Sequence, residues 1–299
     1  MFKGSMVALI TPYQEGVVDE KALENLIQWH IAEGTQGIVV CGSTGEGALL
    51  TSQEQKLITE ISLSISRGRI PIITNTSAIS LEEALFLSEQ AQKAGAQGLM
   101  LTPPPYLRPT QDSIYAFIKR VHDSTELPLI LYNNPARCGV AITQDTVVRL
   151  ANLPRVSAIK DSTGDLSRVP DLEGRVPASF TQLCGEDVLN AAFLAQGGQG
   201  WISVTANAAP RLCARLYQAW KESDLKTFAH LRTQLAPLHK ALFVESNPSP
   251  VKYAVAQQGF CSDEVRFPLL KATSQARKII DEALHHAGII KEIPKVYHA

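Results

Sequence analysis

Short apolar runs recur along the chain, and segments of helical period separate most of them. Eight runs read as buried strands: Met6–Ile10, Gly37–Val40, Ile70–Ile73, Gly98–Leu101, Leu127–Leu131, Val156–Ile159, Phe180–Leu183 and Trp201–Val204. Between them, Glu20–Glu33, Ser52–Arg67, Leu81–Ala94, Gln111–Ser124 and Thr143–Ala151 repeat apolar positions every three to four residues, as amphipathic helices do. Asp19 and Ser80 sit where N-caps belong, and Gly34 and Gly95 where a helix should stop. Strand then helix, repeated eight times, predicts a closed parallel (β/α)8 TIM barrel. An open doubly wound sheet is the runner-up. It would want fewer strands and a glycine-rich turn after the first, which Thr11-Pro12-Tyr13-Gln14-Glu15-Gly16 is not. Beyond about residue 210 the strand signal stops, and Arg211–Glu222, Asp224–Leu235 and Ser274–Ala287 read as helices, with Pro248 and Pro250 between them. The expectation is a catalytic barrel over residues 1–223 and a helical region over 224–299 packed on it.

Composition narrows the class. The chain has 299 residues, 45% of them hydrophobic, which suffices for one large core. Net charge is −1 with acids and bases intermixed, so neither nucleic acid nor a membrane surface is an expected partner. The apolar start is broken by Pro12 and is too short for a signal peptide. No apolar stretch approaches the roughly 20 residues a bilayer requires. Five scattered cysteines, at 41, 138, 184, 213 and 261, form no CxxC pair and no disulfide framework, which points to a reducing cytoplasm.

In a barrel the chemistry collects at the carboxyl ends of the strands. The sixth apolar run ends on Lys160. A lysine there loses hydration, which disfavours its ammonium form and yields an amine able to attack a carbonyl. The plainer alternative is a lysine running out to water. After the second run, Gly42-Ser43-Thr44-Gly45-Glu46-Gly47 offers backbone amides and hydroxyls to a small anion. Glu46 would oppose a phosphate dianion, so a carboxylate is the better fit, and a capped turn is the structural alternative. Thr102-Pro103-Pro104-Pro105-Tyr106-Leu107-Arg108-Pro109 is a stiff loop that fixes Tyr106. Tyr132-Asn133-Asn134-Pro135-Ala136-Arg137 brings a phenol able to relay protons and a guanidinium able to grip a carboxylate. None of the seven histidines (30, 122, 230, 239, 285, 286, 298) falls at a strand's carboxyl end, which argues against a His base or a His-held metal. Cys41, Cys138 and Cys184 lie near strand ends, where small buried residues are common and a thiolate metal site is the lesser reading. One lysine, two tyrosines, two hydroxyls and an arginine suit imine chemistry on an oxo acid, with no cofactor and no metal.

With those residues in view, the chain resembles the pyruvate-dependent class I aldolase family that includes dihydrodipicolinate synthase and N-acetylneuraminate lyase. The resemblance runs through Gly42-Ser43-Thr44-Gly45-Glu46, Tyr132-Asn133-x-Pro135, Ile159-Lys160-Asp161, Gly185, Ile202–Asn207 and Asn247-Pro248-x-Pro250-Val251-Lys252. It implies that Lys160 forms a Schiff base with pyruvate and that Thr44 and its loop hold the pyruvate carboxylate. It also implies that Tyr132 moves protons through the Ser43 hydroxyl, with Tyr106 completing the relay from the neighbouring subunit of a tight dimer. Gly185 and Ile202 would line the pocket through their backbones, and two such dimers would make a homotetramer. Arg137, in Tyr-Asn-x-Pro-x-Arg, and the segment from Phe243 to Lys252 are similar to the synthase branch. They imply L-aspartate 4-semialdehyde as second substrate, 4-hydroxy-tetrahydrodipicolinate as product, and a place in diaminopimelate and lysine biosynthesis.

Two departures bear on that expectation. Position 43 is serine, the residue the lyases also carry, where the synthase branch usually has threonine. The lysine feedback site of some members matches Ser52, Gln55, Ile79 and Pro105 here, with only Glu83 retained, so lysine is expected to inhibit weakly or not at all. The competing readings are an aldolase for N-acetylneuraminate or a 2-keto-3-deoxy sugar acid, and a ligand-binding or regulatory barrel without turnover. The tail 291–299 carries no functional signal.

Overall fold

The computed structural model describes residues 2–294; the end of the tail, 295–299 with His298, lies outside the described residues. Eight parallel strands close into a barrel: β1 (Gly4–Ala8), β2 (Ile38–Val40), β3 (Ile72–Asn75), β4 (Gly98–Leu101), β5 (Leu129–Asn133), β6 (Val156–Asp161), β7 (Thr181–Cys184) and β8 (Gly200–Ser203). The order is sequential and β8 closes on β1, with Gly4 opposite Gly200. That closure depends on two glycines, because a Cβ on Gly200 would fall 2.3 Å from the Gly4 carbonyl oxygen. The pairing starts β1 at Gly4, earlier than the apolar run beginning at Met6. The strand also ends sooner than the run does, since Ile10 N–H leaves the ladder and donates to Asn207 Oδ1 at 3.0 Å.

Strand periodicity fills the barrel. Met6, Ala8, Val39, Ile73, Met100, Ile130, Ala158, Leu183 and Ile202 form one buried cluster inside it, with Phe2 and Tyr132. The alternate residues of each strand face outward and pack under the helices. Besides a single turn at Pro135–Cys138 that carries Arg137, the helices between strands are α1 (Glu20–Ala32), α2 (Ser52–Ser66), α3 (Leu81–Ala94), α4 (Gln111–Ser124), α5 (Gln144–Ala151), α6 (Arg168–Leu172) and α7 (Asn190–Ala195). The last two are short, which explains why no long helical period marks them in the sequence. Asp19, Thr51, Ser80, Thr110 and Thr143 cap α1 to α5, each accepting from a backbone N–H of the first turn.

Four helices follow: α8 (Pro210–Lys221), α9 (Leu225–Ala241), α10 (Ser249–Ala256) and α11 (Ser274–His286). Leu231, Leu235, Val251, Val255, Ile280 and Leu284 share one apolar cluster with Val7, Leu9 and Ile27 of the barrel. Burial of this continuous face holds the carboxy-terminal helices to the barrel. Among the described residues no helix is long and apolar enough to cross a membrane.

Candidate active site

Strand register builds the floor of the site. Ala158 faces the barrel interior, so two residues on Lys160 does too, inside the strand and not after it. The β5–β6 ladder sets Tyr132 directly opposite Lys160 and Asn133 opposite Asp161. Lys160 is 4% exposed, forms no salt bridge among the described residues, and has its Nζ 4.3 Å from the centre of the Tyr132 ring. The outward pair steadies the strand end. Asp161 accepts from Asn133 Nδ2 at 3.2 Å and from Arg168 Nε at 2.9 Å, so the neighbouring carboxylate is engaged elsewhere and does not pair with Lys160.

The phenol of Tyr132 accepts from Asn134 Nδ2 at 2.8 Å. Burial pushes this phenol up, but the charge of Lys160, hydrogen bonds from Asn134 and Ser162 and the charge of Arg137 outweigh it. Together they hold Tyr132 below its ordinary value. A tyrosine at the barrel mouth is thereby brought nearer to working as a base.

Above the floor, a cavity of about 360 Å3 is lined by Gly42, Ser43, Asn75, Arg137, Asn247 and Leu269, among others. Lys160 and Tyr132 are not among its lining side chains, and Arg137 supplies the electrostatic link between the two levels. The loop after β2 is tightly folded. Gly47 N–H donates to the Gly42 carbonyl at 2.9 Å, and a Cβ on Gly47 would fall 1.9 Å from the Cys41 oxygen. Thr44 is 3% exposed, and its Oγ1 accepts from Asn247 Nδ2 at 3.0 Å. The Asn247 carbonyl in turn accepts from Arg137 Nη2 at 3.2 Å. One residue thus ties together the side chains expected to meet the two substrates.

Glu46 changes the expectation for its loop. It does not face an incoming anion as a free charge: Oε1 meets Lys252 Nζ at 2.6 Å, with both side chains fully buried. Oε2 accepts from the Arg266 backbone N–H at 2.9 Å. Burial outweighs the partner carboxylate and draws Lys252 below the ordinary lysine value. Tyr13 completes the cluster, with Lys252 Nζ 4.0 Å from its ring centre and the Arg266 guanidinium 4.4 Å from it. Arg266 also grips Glu54 through both terminal nitrogens, which lowers that carboxyl to about 2. Sequence reasoning missed this network. Its one signal is a lysine standing alone in the apolar run Val251-Lys252-Tyr253-Ala254-Val255.

The remaining expected residues separate into those brought to the mouth and those held away. Ser43 lines the cavity, and no hydrogen bond joins it to Tyr132 among the described residues. Gly185 packs against Lys160, since a Cβ there would lie 3.1 Å from Lys160 Cε. Ile202 belongs to the cluster inside the barrel. Tyr106 stands 86% exposed with a φ of 70°, outside the cavity of its own chain. Burial raises Cys41 to about 12 and also raises Cys138 and Cys184. Neutral thiols of this kind are poor metal ligands. Among the described residues no group of three or more His, Cys, Asp or Glu side chains is placed to hold a metal ion. His239, remote from strand ends in sequence, meets Thr205 Oγ1 at 2.8 Å just beyond β8, yet lines another face and not this cavity.

Comparison with known proteins adds a second line of observation. A profile of the dihydrodipicolinate synthetase family matches residues 1–287. The 4-hydroxy-tetrahydrodipicolinate synthase of Rhodospirillum centenum is 45% identical over 290 residues, 97% of this chain and 100% of the relative. That of Thermodesulfovibrio yellowstonii is 45% identical over 291 residues, again 97% of this chain and 100% of the relative. Among solved structures, dihydrodipicolinate synthase from Aquifex aeolicus superposes with a TM-score of 0.94 at 38% identity, covering 96% of this chain and 99% of that one. The chloride-inhibited enzyme from Acinetobacter baumannii, complexed with pyruvate, gives 0.94 at 39% identity, covering 97% and 100%.

Proposed function

The chain belongs to the dihydrodipicolinate synthetase family, and from that premise we infer that it condenses pyruvate with L-aspartate 4-semialdehyde. The product is 4-hydroxy-tetrahydrodipicolinate, a step toward diaminopimelate and lysine. The observation that carries the reading is a buried lysine in no salt bridge among the described residues, facing a depressed tyrosine, with Thr44 and Arg137 joined above it through Asn247.

The chemistry follows from that arrangement. The Lys160 amine attacks the keto carbon of pyruvate, and loss of water leaves a Schiff base whose positive nitrogen acidifies the methyl group. The resulting enamine attacks the aldehyde carbon of the semialdehyde. The semialdehyde amine then closes the ring on the former keto carbon and releases Lys160. Thr44 and the loop amides hold the pyruvate carboxylate, and Arg137 is free on one side to grip the second carboxylate. Tyr132 shuttles protons, with Ser43 as the neighbouring hydroxyl, while Gly185 and Ile202 shape the pocket. The exposed, left-handed Tyr106 supports the reading that it serves a neighbouring subunit in a tight dimer, two of which form a homotetramer. Residues 224–299 act as an extension of the barrel in this reading, not as a module, and the enzyme works in the cytoplasm without cofactor or metal.

The test is product identification with purified protein, pyruvate and L-aspartate 4-semialdehyde, run beside a cleavage assay with N-acetylneuraminate. Borohydride should trap pyruvate on the wild-type chain and not on Lys160→Ala. Turnover of the sugar acid alone would sink the assignment, and trapping without turnover would favour a binding barrel.

A further inference from the structure

Tyr106 owes its direction to backbone alone. Its side chain is 86% exposed and makes no hydrogen bond or ring contact among the described residues. Leu107 N–H donates to the Pro105 carbonyl at 2.8 Å, which closes a three-residue turn with the tyrosine at its centre. At φ 70° this is the rare, strained form of that turn, and Arg108 follows at φ 49°, also left-handed. Residues other than glycine reach this region at a cost, so two of them within three positions need something outside the turn to hold them.

Arg108 supplies that hold. Its Nε donates to the Gly139 carbonyl at 3.2 Å. The glycine also makes space for the arginine stem, since a Cβ at 139 would lie 3.0 Å from Arg108 Cγ and 3.4 Å from its Cδ. What receives the arginine is itself fixed. Gly139 N–H donates to the Pro135 carbonyl at 2.9 Å and closes the turn Pro135–Cys138 that carries Arg137. At the start of that turn, Asn134 Oδ1 accepts from the Arg137 N–H at 3.2 Å while Asn134 Nδ2 donates to the Tyr132 phenol. The proline-rich loop is tied at its ends, where Thr102 N–H donates to Ser77 Oγ at 2.9 Å and Gln111 Nε2 donates to the Ala141 carbonyl at 2.9 Å. Between those ties, among the described residues, Arg108 is the one side chain of 103–109 hydrogen-bonded to another part of the chain.

We propose that Arg108 is a positioning residue: by pinning the proline-rich loop to the Arg137 turn, it fixes the aim of Tyr106 toward the neighbouring subunit's site. The proposal rests on the reading above that Tyr106 completes the proton relay of that subunit. The guanidinium touches no substrate and moves no proton. Its bond is exposed and adds little to stability; what it sets is direction. A phenol carried on a strained turn swings away when the pin is drawn. The same pin joins two active sites, because the turn that grips the second substrate in one subunit is the base from which a phenol reaches into the other.

The experiment is a double-mutant cycle on the full-length enzyme, with kcat and the pyruvate KM measured beside the mass of each variant in solution. Arg108→Ala should lower kcat about 10-fold, as displacement of a catalytic group requires, and leave the pyruvate KM within about threefold. Arg108→Lys keeps a stem against Gly139 and a donor for its carbonyl, and should regain most of the rate. Adding Arg108→Ala to Tyr106→Phe should change kcat by less than about twofold, because the arginine acts through a hydroxyl that is no longer there. Losses that multiply in full would show that Arg108 works by another route and overturn the proposal, as would Arg108→Ala at the wild-type kcat. A fall in kcat seen only with dissociation of the subunits overturns it too, since the arginine would then hold the assembly and not the phenol. Tyr106→Phe at the wild-type kcat would instead overturn the relay reading on which the proposal rests, so the two failures are told apart.

Discussion

Lys160 and Tyr132 face one another because adjacent strands put them there, whereas Thr44 is held by Asn247, 203 residues further along the chain. The first pairing is a consequence of barrel closure. Closing these eight strands in this register places position 160 opposite position 132, here an amine opposite a phenol. The second is made of single polar ties: Asn247 to Thr44, Arg137 to the Asn247 carbonyl, and Lys252 to Glu46. The first and last of these are buried, where a satisfied pair is strong and a broken one is expensive, while Arg137 stands exposed at the cavity. The amine side is therefore built to tolerate change, and the carboxylate side to report it.

The sharpest way to break that contrast is to strand one charge. Lys252→Met leaves the buried Glu46 carboxylate without its partner and should cost about 3–5 kcal/mol of unfolding free energy, read by urea denaturation. Adding Glu46→Gln removes the stranded charge and should recover most of the loss. If the single and double variants unfold alike, the pair is not what secures the loop.

Acid sharpens the same contrast. Arg266, its chief hydrogen-bond partner, lowers Glu54 from the ordinary 4.5 to about 2 in the folded chain. The unfolded chain binds more protons between those values, so this contribution is complete above pH 4.5 and is lost as pH falls toward about 2. Hydrogen exchange should show residues 42–50 losing protection before β5 and β6 as the solution is acidified. Loss of protection in both regions together would contradict it.

A smaller effect is expected for Asn247→Ala, which removes the donor to Thr44 and keeps the carbonyl that receives Arg137. One net hydrogen bond is worth about 1 kcal/mol, so the pyruvate KM should rise about fivefold. Trapping on Lys160 at saturating pyruvate should stay complete, because the strand side is untouched. The smallest effect is the one expected of lysine. With Ser52, Gln55, Ile79 and Pro105 at the positions where feedback-sensitive members place polar partners, millimolar lysine should leave steady-state turnover within error. Strong saturable inhibition would be the contrary result.

What could be read from the sequence divides along the same line. Strands announce themselves by composition and by their breaks, and the parity of Ala158 and Lys160 carries the amine to the inside of the barrel. The glycine-rich loop and Arg137 were legible because their residue types are unusual at strand ends. Glu46 was misjudged because its neutralising partner lies 206 residues away, and nothing local in either segment names the other. Arg108 read as one more residue of the proline-rich loop. Only its bond to the Gly139 carbonyl, 31 residues on, distinguishes it.

The position of Asn247, Lys252 and Arg266 near the carboxyl end sets an order on the molecule's birth. A ribosome has delivered all eight strands, Lys160 and Tyr132 included, before it makes the first of the three. Because domains form from the amino end as they are synthesised, the nascent chain carries Lys160 and Tyr132 early and the ties to Thr44, Glu46 and Glu54 last. A chain that stops before Asn247 therefore contains Lys160 and Tyr132 but none of the groups that hold Thr44, Glu46 and Glu54.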